Sequence, residues 1–476
     1  MNPTQRIMKN VGVNGISQIF LSLIGFLFMI YLARFLGEGG FGQYNFVLSF
    51  TSLFVIFSDL GVNQLLVREV ARNKELSEDY TNNAFLLKIP LSILTFLGIV
   101  FFTYFLDFQG DLVFLLYLFG LYHILQTLSL TYLSLFNALE KMEYVSLFQI
   151  VEKIIIVSLG FLILFMGYGL LEIGYVYLLA GFFDLFFAMI LSFKKLIKPR
   201  FNINLKLQKD LIINGLPFGL NSLFAVFFFK IDTILLALLV GDVAVGIYNA
   251  AYNPLLTLSM IVAAMVSTAV YPVMSRQFND SKHLLGSFAV ISSKYLAIIG
   301  FPIALACLVL ADKFILLFYA GSYLESILPF QILAFFIPIR MISTITGTFL
   351  SSINRQGLRT VSVCLSAAFN VVLNLLLIPL FSFVGASIAT VLSEMLLYGF
   401  FIFFIMRYYG FINVNKVLIK PLLGSLAMAS VIYIIRDFNL ILVILTGAFV
   451  YFSSLIILKT FNEEDINLFK NLLGSK

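Results

Sequence analysis

Val11-Gly-Val-Asn14-Gly15-Ile-Ser17-Gln18-Ile-Phe-Leu-Ser22-Leu-Ile-Gly25-Phe-Leu-Phe-Met-Ile-Tyr31-Leu-Ala33 runs without a single charge. At 1.5 Å per residue such a stretch is long enough to cross the hydrocarbon core of a bilayer as a helix. It is too long for the apolar region of a secretory signal, and no small-residue cleavage site follows it, so it reads as a first membrane span. The same texture recurs to the end of the chain. Of 476 residues, 61% are apolar and 11% charged, against roughly half and a quarter in soluble domains. That apolar surplus must face lipid, where only helices or closed barrels satisfy the backbone. The runs are unbroken rather than alternating, which selects helices.

Fourteen candidate spans follow, over about 11–34, 41–60, 83–106, 112–136, 144–166, 170–193, 210–238, 246–273, 286–310, 326–352, 359–380, 384–406, 416–435 and 439–459. The segment 313–320 is apolar but too short to cross. Most of the 30 Lys and Arg residues fall at the N-terminus, in the even-numbered loops or in the C-terminal tail, which places both termini in the cytoplasm of a plasma-membrane protein. The net charge of +6 is therefore topological, and nucleic acid is not an expected partner. Cys307 and Cys364 lie in apolar runs, so no disulfide is expected. His123 and His283 are isolated, no metal set forms, and no phosphate-binding GxxxxGK[ST] loop occurs. No resident cofactor is expected.

The chain repeats itself. Asn14-Gly15 opens the first span and Asn214-Gly215 the seventh. Gly42-Gln-Tyr44-Asn45 opens the second and Gly246-Ile-Tyr248-Asn249 the eighth. Ser134-x-x-Asn137 closes the fourth and Ser351-x-x-Asn354 the tenth. The expected organisation is an all-α polytopic membrane protein of two pseudo-symmetric six-helix lobes, 1–193 and 210–406. A basic linker, 194–209, joins them, and 407–476 adds two further helices and a tail. Six spans per copy make the repeat parallel, and internal duplication is a transporter signature.

Lys88, Lys153, Asp184, Lys230, Asp232, Lys294, Arg340 and Glu394 fall at membrane depth. Each costs on the order of 3 kcal/mol there unless it is paired or hydrated. Lysines near a span's end also snorkel, and Lys230 and Asp232, two apart, point to different helix sides. Polar stripes form a second signal: Asn14, Gln18, Ser22 and Gly25 on span one; Ser146, Gln149 and Lys153 on span five; Ser362, Ser366, Asn370 and Asn374 on span eleven. Such faces line a wet path or knit helices together, and knitting is the commoner use. Pro90, Pro217, Pro254, Pro302 and Pro338 within spans favour bent helices.

In order along the chain, Tyr31-Leu-Ala-Arg34-Phe-Leu-Gly37, Phe41-Gly42-Gln-Tyr44, Asp59-Leu-Gly61, Leu66-Val-Arg68-Glu69-Val-Ala71-Arg72, Lys230-Ile-Asp232 and Gly246-Ile-Tyr248-Asn249-Ala250-Ala-Tyr252 resemble polysaccharide-transport flippases. Tyr271-Pro272-Val-Met-Ser275-Arg276, Asn354-Arg-Gln356-Gly357 and the positions Asn370, Asn374, Pro379, Gly385-Ala386, Ala389-Thr390 and Glu394 continue the resemblance. Those flippases belong to the multidrug/oligosaccharidyl-lipid/polysaccharide exporter superfamily, and the likeness spans about residues 10–405. It implies two six-helix lobes in a V around a cavity and export of undecaprenyl- or dolichyl-type lipid-linked sugars for cell-surface polysaccharide. Other polysaccharide-assembly proteins and membrane lipids are the implied partners.

An anionic pyrophosphate head group would be offset by fixed cations, and Arg34, Arg68, Lys153, Lys230 and Arg340 are the candidates for it. Asp59, Asp232 and Glu394 are candidates for coupling to Na+ or H+, or for pairing those bases. A multidrug exporter of the same superfamily would favour an acidic cavity, whereas the deep residues here lean basic. A membrane polysaccharide polymerase would need a larger extramembrane loop than this chain has.

Overall fold

A computed structural model describes residues 3–199, 202–280, 282–410 and 414–461. All regular structure among them is helical. The N-terminal lobe region contains α1 (Pro3–Asp59), α2 (Val62–Arg72), α3 (Ser77–Phe105), α4 (Asp111–Ala138), α5 (Met142–Phe165) and α6 (Leu170–Lys195). There follow α7 (Leu205–Leu239), α8 (Asp242–Asp280), α9 (Lys282–Val309), α10 (Ala311–Tyr319), α11 (Ile327–Ala334), α12 (Phe336–Ser352), α13 (Gln356–Tyr408), α14 (Val414–Ile434) and α15 (Leu440–Ile457).

Eleven helices among the described residues are long and apolar enough to cross a membrane. Two of them are double. The run of α1 breaks at Gly37, whose φ of 68° is open to glycine without steric cost, and α13 breaks at Ser382, φ 52°. Dividing both and counting the 39-residue α8 recovers the fourteen expected spans. The α10 helix has only 9 residues and is too short to span, as expected. Large apolar side chains face outward along these helices, Phe165 at 85% and Ile457 at 78% exposure among them. This is the surface a protein presents to lipid rather than to water.

The chain divides into two compact units, 1–249 with 371–382, and 250–370 with 383–476. In the first unit, α4 packs on α6, α3 and α1, and α7 packs on α1 and α2. The second half of α1 (38–59) is held close to the chain at both of its ends. At one end a β-carbon on Gly42 would lie 1.8 Å from the Asp242 carbonyl oxygen, and one on Gly246 would lie 2.0 Å from the Glu38 carbonyl oxygen. Gln43 Nε2 adds a hydrogen bond of 2.9 Å to Asp242 Oδ2. At the other end a β-carbon on Gly61 would stand 2.2 Å from the Gly215 carbonyl oxygen. The duplicated Gly-x-Tyr-Asn motifs therefore meet each other. The segment between α6 and α7 is tethered to α3: Asn82 Nδ2 donates to the Lys198 carbonyl at 3.1 Å, and Asn204 N donates to Asn83 Oδ1 at 2.8 Å. Arg200 lies outside the described residues.

In the second unit, α9 packs on α14 and α12, and α14 on α15. Ile298, Leu305, Met428, Ile432, Val443, Tyr451 and Leu455 form a shared core, and Tyr451 OH donates to the Ile298 carbonyl at 2.8 Å. The last two spans thus dock on α9. Expected span ten is jointed: α11 ends at Ala334, and Pro338 sits in the first turn of α12, where a missing N–H costs nothing. Pro90, Pro217 and Pro302 lie inside α3, α7 and α9, and Pro254 lies inside α8. The tail lysines Lys470 and Lys476, the side chains of Asn14 and His283, and those of the Tyr271–Pro272 and Ser275–Arg276 positions lie outside the described residues.

Candidate functional site

Two of the polar stripes seen in the sequence face each other. Gln18 Nε2 on α1 donates to Gln149 Oε1 on α5 at 3.3 Å. One turn along α5, Lys153 lies over Gly25 of α1, where a β-carbon would meet Lys153 Cε at 2.9 Å and Nζ at 3.0 Å. Beyond it Tyr31 and Phe28 of α1 both pack on Phe161, with ring centroids 4.4 and 5.6 Å away. The α1 and α5 stripes knit two helices, with Lys153 in the seam.

The residue before it turns the other way. Glu152 Oε1 accepts from Tyr122 OH at 2.9 Å and Gln126 Nε2 at 3.3 Å, both on α4. The Tyr122 ring stacks edge-on against Tyr177, centroids 5.1 Å apart, and Tyr177 OH shares a 2.6 Å hydrogen bond with Tyr44 OH of the first Gly-x-Tyr-Asn motif. Glu152, Tyr122, Gln126 and Tyr177 were not legible as site residues from pattern alone, although Glu152 carries the same signal as Lys153, a charge inside the 144–166 apolar run. On α7, Lys230 stands near enough to His123 of α4 for its charge to act on the imidazole.

The five candidate cations divide by their surroundings. Lys153 and Lys230 are partly buried and make no hydrogen bond or ion pair among the described residues. Arg68 is bound to its neighbour Glu69 at 2.7 Å and lies 5.5 Å over the Phe218 ring. Arg340, in the second unit, lies 3.4 Å from Glu394, a carboxylate with no exposed surface that also accepts from Ser343 Oγ. Arg34 is exposed, three residues before the break in α1.

The acidic candidates are all engaged. Asp59 Oδ1 receives Lys88 Nζ at 2.9 Å and the Asn63 backbone N–H at 3.3 Å, capping the turn into α2. Lys88 is fully buried, so it does not snorkel; its ammonium also donates to the Thr127 carbonyl at 2.7 Å and Thr131 Oγ1 at 3.1 Å. Asp232 accepts from Tyr248 OH of the second Gly-x-Tyr-Asn motif at 3.0 Å and from Asn374 Nδ2. Asn249 of that motif bonds Thr233 next door, 3.2 Å from Nδ2 to Oγ1. As the spacing requires, Lys230 and Asp232 take different sides of α7. The Asn374 end of the span-eleven stripe hydrogen-bonds this carboxylate, which is the helix-to-helix knitting expected of such a stripe.

Lys153 and Lys230 thus make no hydrogen bond or ion pair among the described residues, although the charge of the adjacent Glu152 acts on Lys153.

The chain also resembles known proteins. The profile of a family described as polysaccharide biosynthesis protein matches residues 7–278, and one described as MatE matches 217–376. An uncharacterized membrane protein of Methanocaldococcus jannaschii, MJ1068, is 25% identical over 99% of this chain and 98% of its own. The probable low-salt glycan biosynthesis flippase Agl15 of Haloferax volcanii is 24% identical over 79% of each. Among solved structures, lipid II flippase MurJ in an inward closed conformation aligns with a TM-score of 0.77 at 14% identity, over 93% of this chain and 98% of that one; this is a likeness of fold.

Proposed function

We propose a flippase, on the premise that the chain belongs to the polysaccharide biosynthesis protein family. It carries a lipid-linked oligosaccharide of polyprenyl-pyrophosphate type from the cytoplasmic to the outer leaflet by alternating access, for cell-surface polysaccharide assembly. It is a membrane transporter and not an enzyme.

The observation that carries this reading is that Lys153 and Lys230 make no hydrogen bond or ion pair among the described residues. An ammonium in a low-dielectric interior is costly unless something answers its charge. Here no carboxylate of the protein does so by hydrogen bond or ion pair among the described residues. A pyrophosphate would, and the charge-assisted bonds would offset its own loss of hydration. Arg34 is a further cation for the head group as it enters. Arg68 and Arg340 have carboxylate partners already and contribute to the head group only if those pairs open. The substrate's apolar tail has no need to leave lipid. Asp232, which accepts from Tyr248 OH and Asn374 Nδ2, is the proposed coupling carboxylate, with Na+ or H+ as the coupling ion. The cytoplasmic placement of both termini, by the basic loops, belongs to the same proposal.

The test is export of lipid-linked oligosaccharide in cells that depend on this protein. Lys153→Gln combined with Lys230→Gln should abolish export while the protein still inserts and accumulates. Wild-type export by that double variant sinks the reading.

A further inference from the structure

We propose that Gly25 is a positioning residue: the side chain it lacks is the seat that holds the Lys153 ammonium ready for a phosphate oxygen. This rests on the head-group reading of Lys153.

The seam between α1 and α5 is filled on both sides of this point. Gln18 meets Gln149 before it, and Phe28 and Tyr31 close on Phe161 after it. Only the bare Cα of Gly25 leaves room between them for a lysine head. The fit is close: a β-carbon there would stand 2.9 Å from Cε and 3.0 Å from Nζ, nearer than side chains tolerate.

What makes the seat unusual is how the ammonium is held. A buried lysine ordinarily fixes its head by giving hydrogen bonds to carboxylates or carbonyls, as Lys88 does here with Asp59 and Thr127. Lys153 gives none among the described residues. The carboxylate next to it in sequence, Glu152, uses Oε1 on Tyr122 and Gln126 of α4. Contact with the α1 backbone thus limits where the ammonium can go without consuming its three N–H donors. The donors stay available to a ligand, and little side-chain freedom is left to lose when it binds, which is the benefit of a preorganised group.

The atoms that a β-carbon would strike are the far end of a flexible side chain rather than backbone. Gly25→Ala should therefore leave the helix packing in place and displace only the ammonium. This separates the proposal from an ordinary structural glycine, whose substitution would strain the fold whatever stands at position 153.

The experiment uses the purified full chain in nanodiscs and farnesyl pyrophosphate as the probe, with the thermal midpoint recorded for each variant without probe. Lys153→Gln should weaken binding on the order of tenfold, the usual worth of one charge-assisted hydrogen bond. Gly25→Ala should weaken it by a similar factor at an unchanged midpoint. In the Lys153→Gln background, Gly25→Ala should weaken it no further, because the seat has lost its occupant. Wild-type affinity in Gly25→Ala beside weakened Lys153→Gln overturns the seat alone. A Gly25→Ala loss of the same size in both backgrounds, or a lowered midpoint in both, also overturns it, since the glycine then acts through the helix. Wild-type affinity in Lys153→Gln removes the head-group role of Lys153 and this inference with it.

Discussion

Gly246 presses its backbone against the carbonyl of Glu38, so that a β-carbon at position 246 would lie 2.0 Å from that oxygen. The relation is reciprocal, for Gly42 would meet the Asp242 carbonyl oxygen at 1.8 Å. Each contacted carbonyl belongs to the residue four before the other glycine, as the duplicated motif requires. Both collisions are with backbone, which no rotamer change relieves. Gly246→Ala should therefore push α8 from α1 and lower stability by about 1–3 kcal/mol, the range for overpacked sites. A thermal midpoint equal to wild type would refute the contact.

Lys88 and Asp59 form a pair whose lysine has no exposed surface. Removing one partner of a buried pair costs about 3–5 kcal/mol, whereas replacing both with apolar groups is often close to neutral. Lys88→Met should thus be strongly destabilising. Lys88→Met with Asp59→Leu should recover part of the loss, less the Asn63 cap that Asp59 supplies. Chemical denaturation of the four members of the cycle measures the coupling, and additive losses would rule out the pair.

Glu394 is wholly buried and depends on Arg340 and Ser343. Arg340→Gln alone strands that carboxylate, so its loss of export would be uninformative about the substrate. The informative variant is Arg340→Gln with Glu394→Gln, which leaves no uncompensated charge. Export by that double variant within about twofold of wild type is expected if the pair serves packing. Its loss at normal protein levels would assign Arg340 to the head group.

Asp232 is held by Tyr248 and Asn374 from two other helices. If it couples transport to a cation gradient, Asp232→Asn should keep the hydrogen-bonded frame and insertion, yet make export in vesicles indifferent to an imposed Na+ or proton gradient. Gradient-stimulated export in that variant would move the coupling elsewhere.

Much of this was legible in the residues. The fourteen spans follow from apolar run length, and even the merged helices divide where a glycine or a left-handed serine interrupts them. The doubled Gly-x-Tyr-Asn motif marked the two positions that meet. The stripes on spans one and five were visible, but a stripe states only that a helix has a polar face, and its partner is a matter of packing. The pattern around Lys153 does not single out Glu152, because its meaning comes from Tyr122 and Gln126, some thirty residues away in the chain.

The sequence by itself determined that this chain fills a bilayer with helices and carries charges inside them. A backbone in hydrocarbon has no other way to satisfy its hydrogen bonds, and buried charge is expensive wherever it falls. Which of those charges are spoken for was decided only by the tertiary structure. Asp59 took Lys88, Glu394 took Arg340 and Asp232 took Tyr248 and Asn374, while Lys153 and Lys230 make no ion pair among the described residues. Hydrogen bonds and ion pairs act over a few ångströms of space, and separations in sequence, from 16 residues for Asp232–Tyr248 to 142 for Asp232–Asn374, carry no record of them.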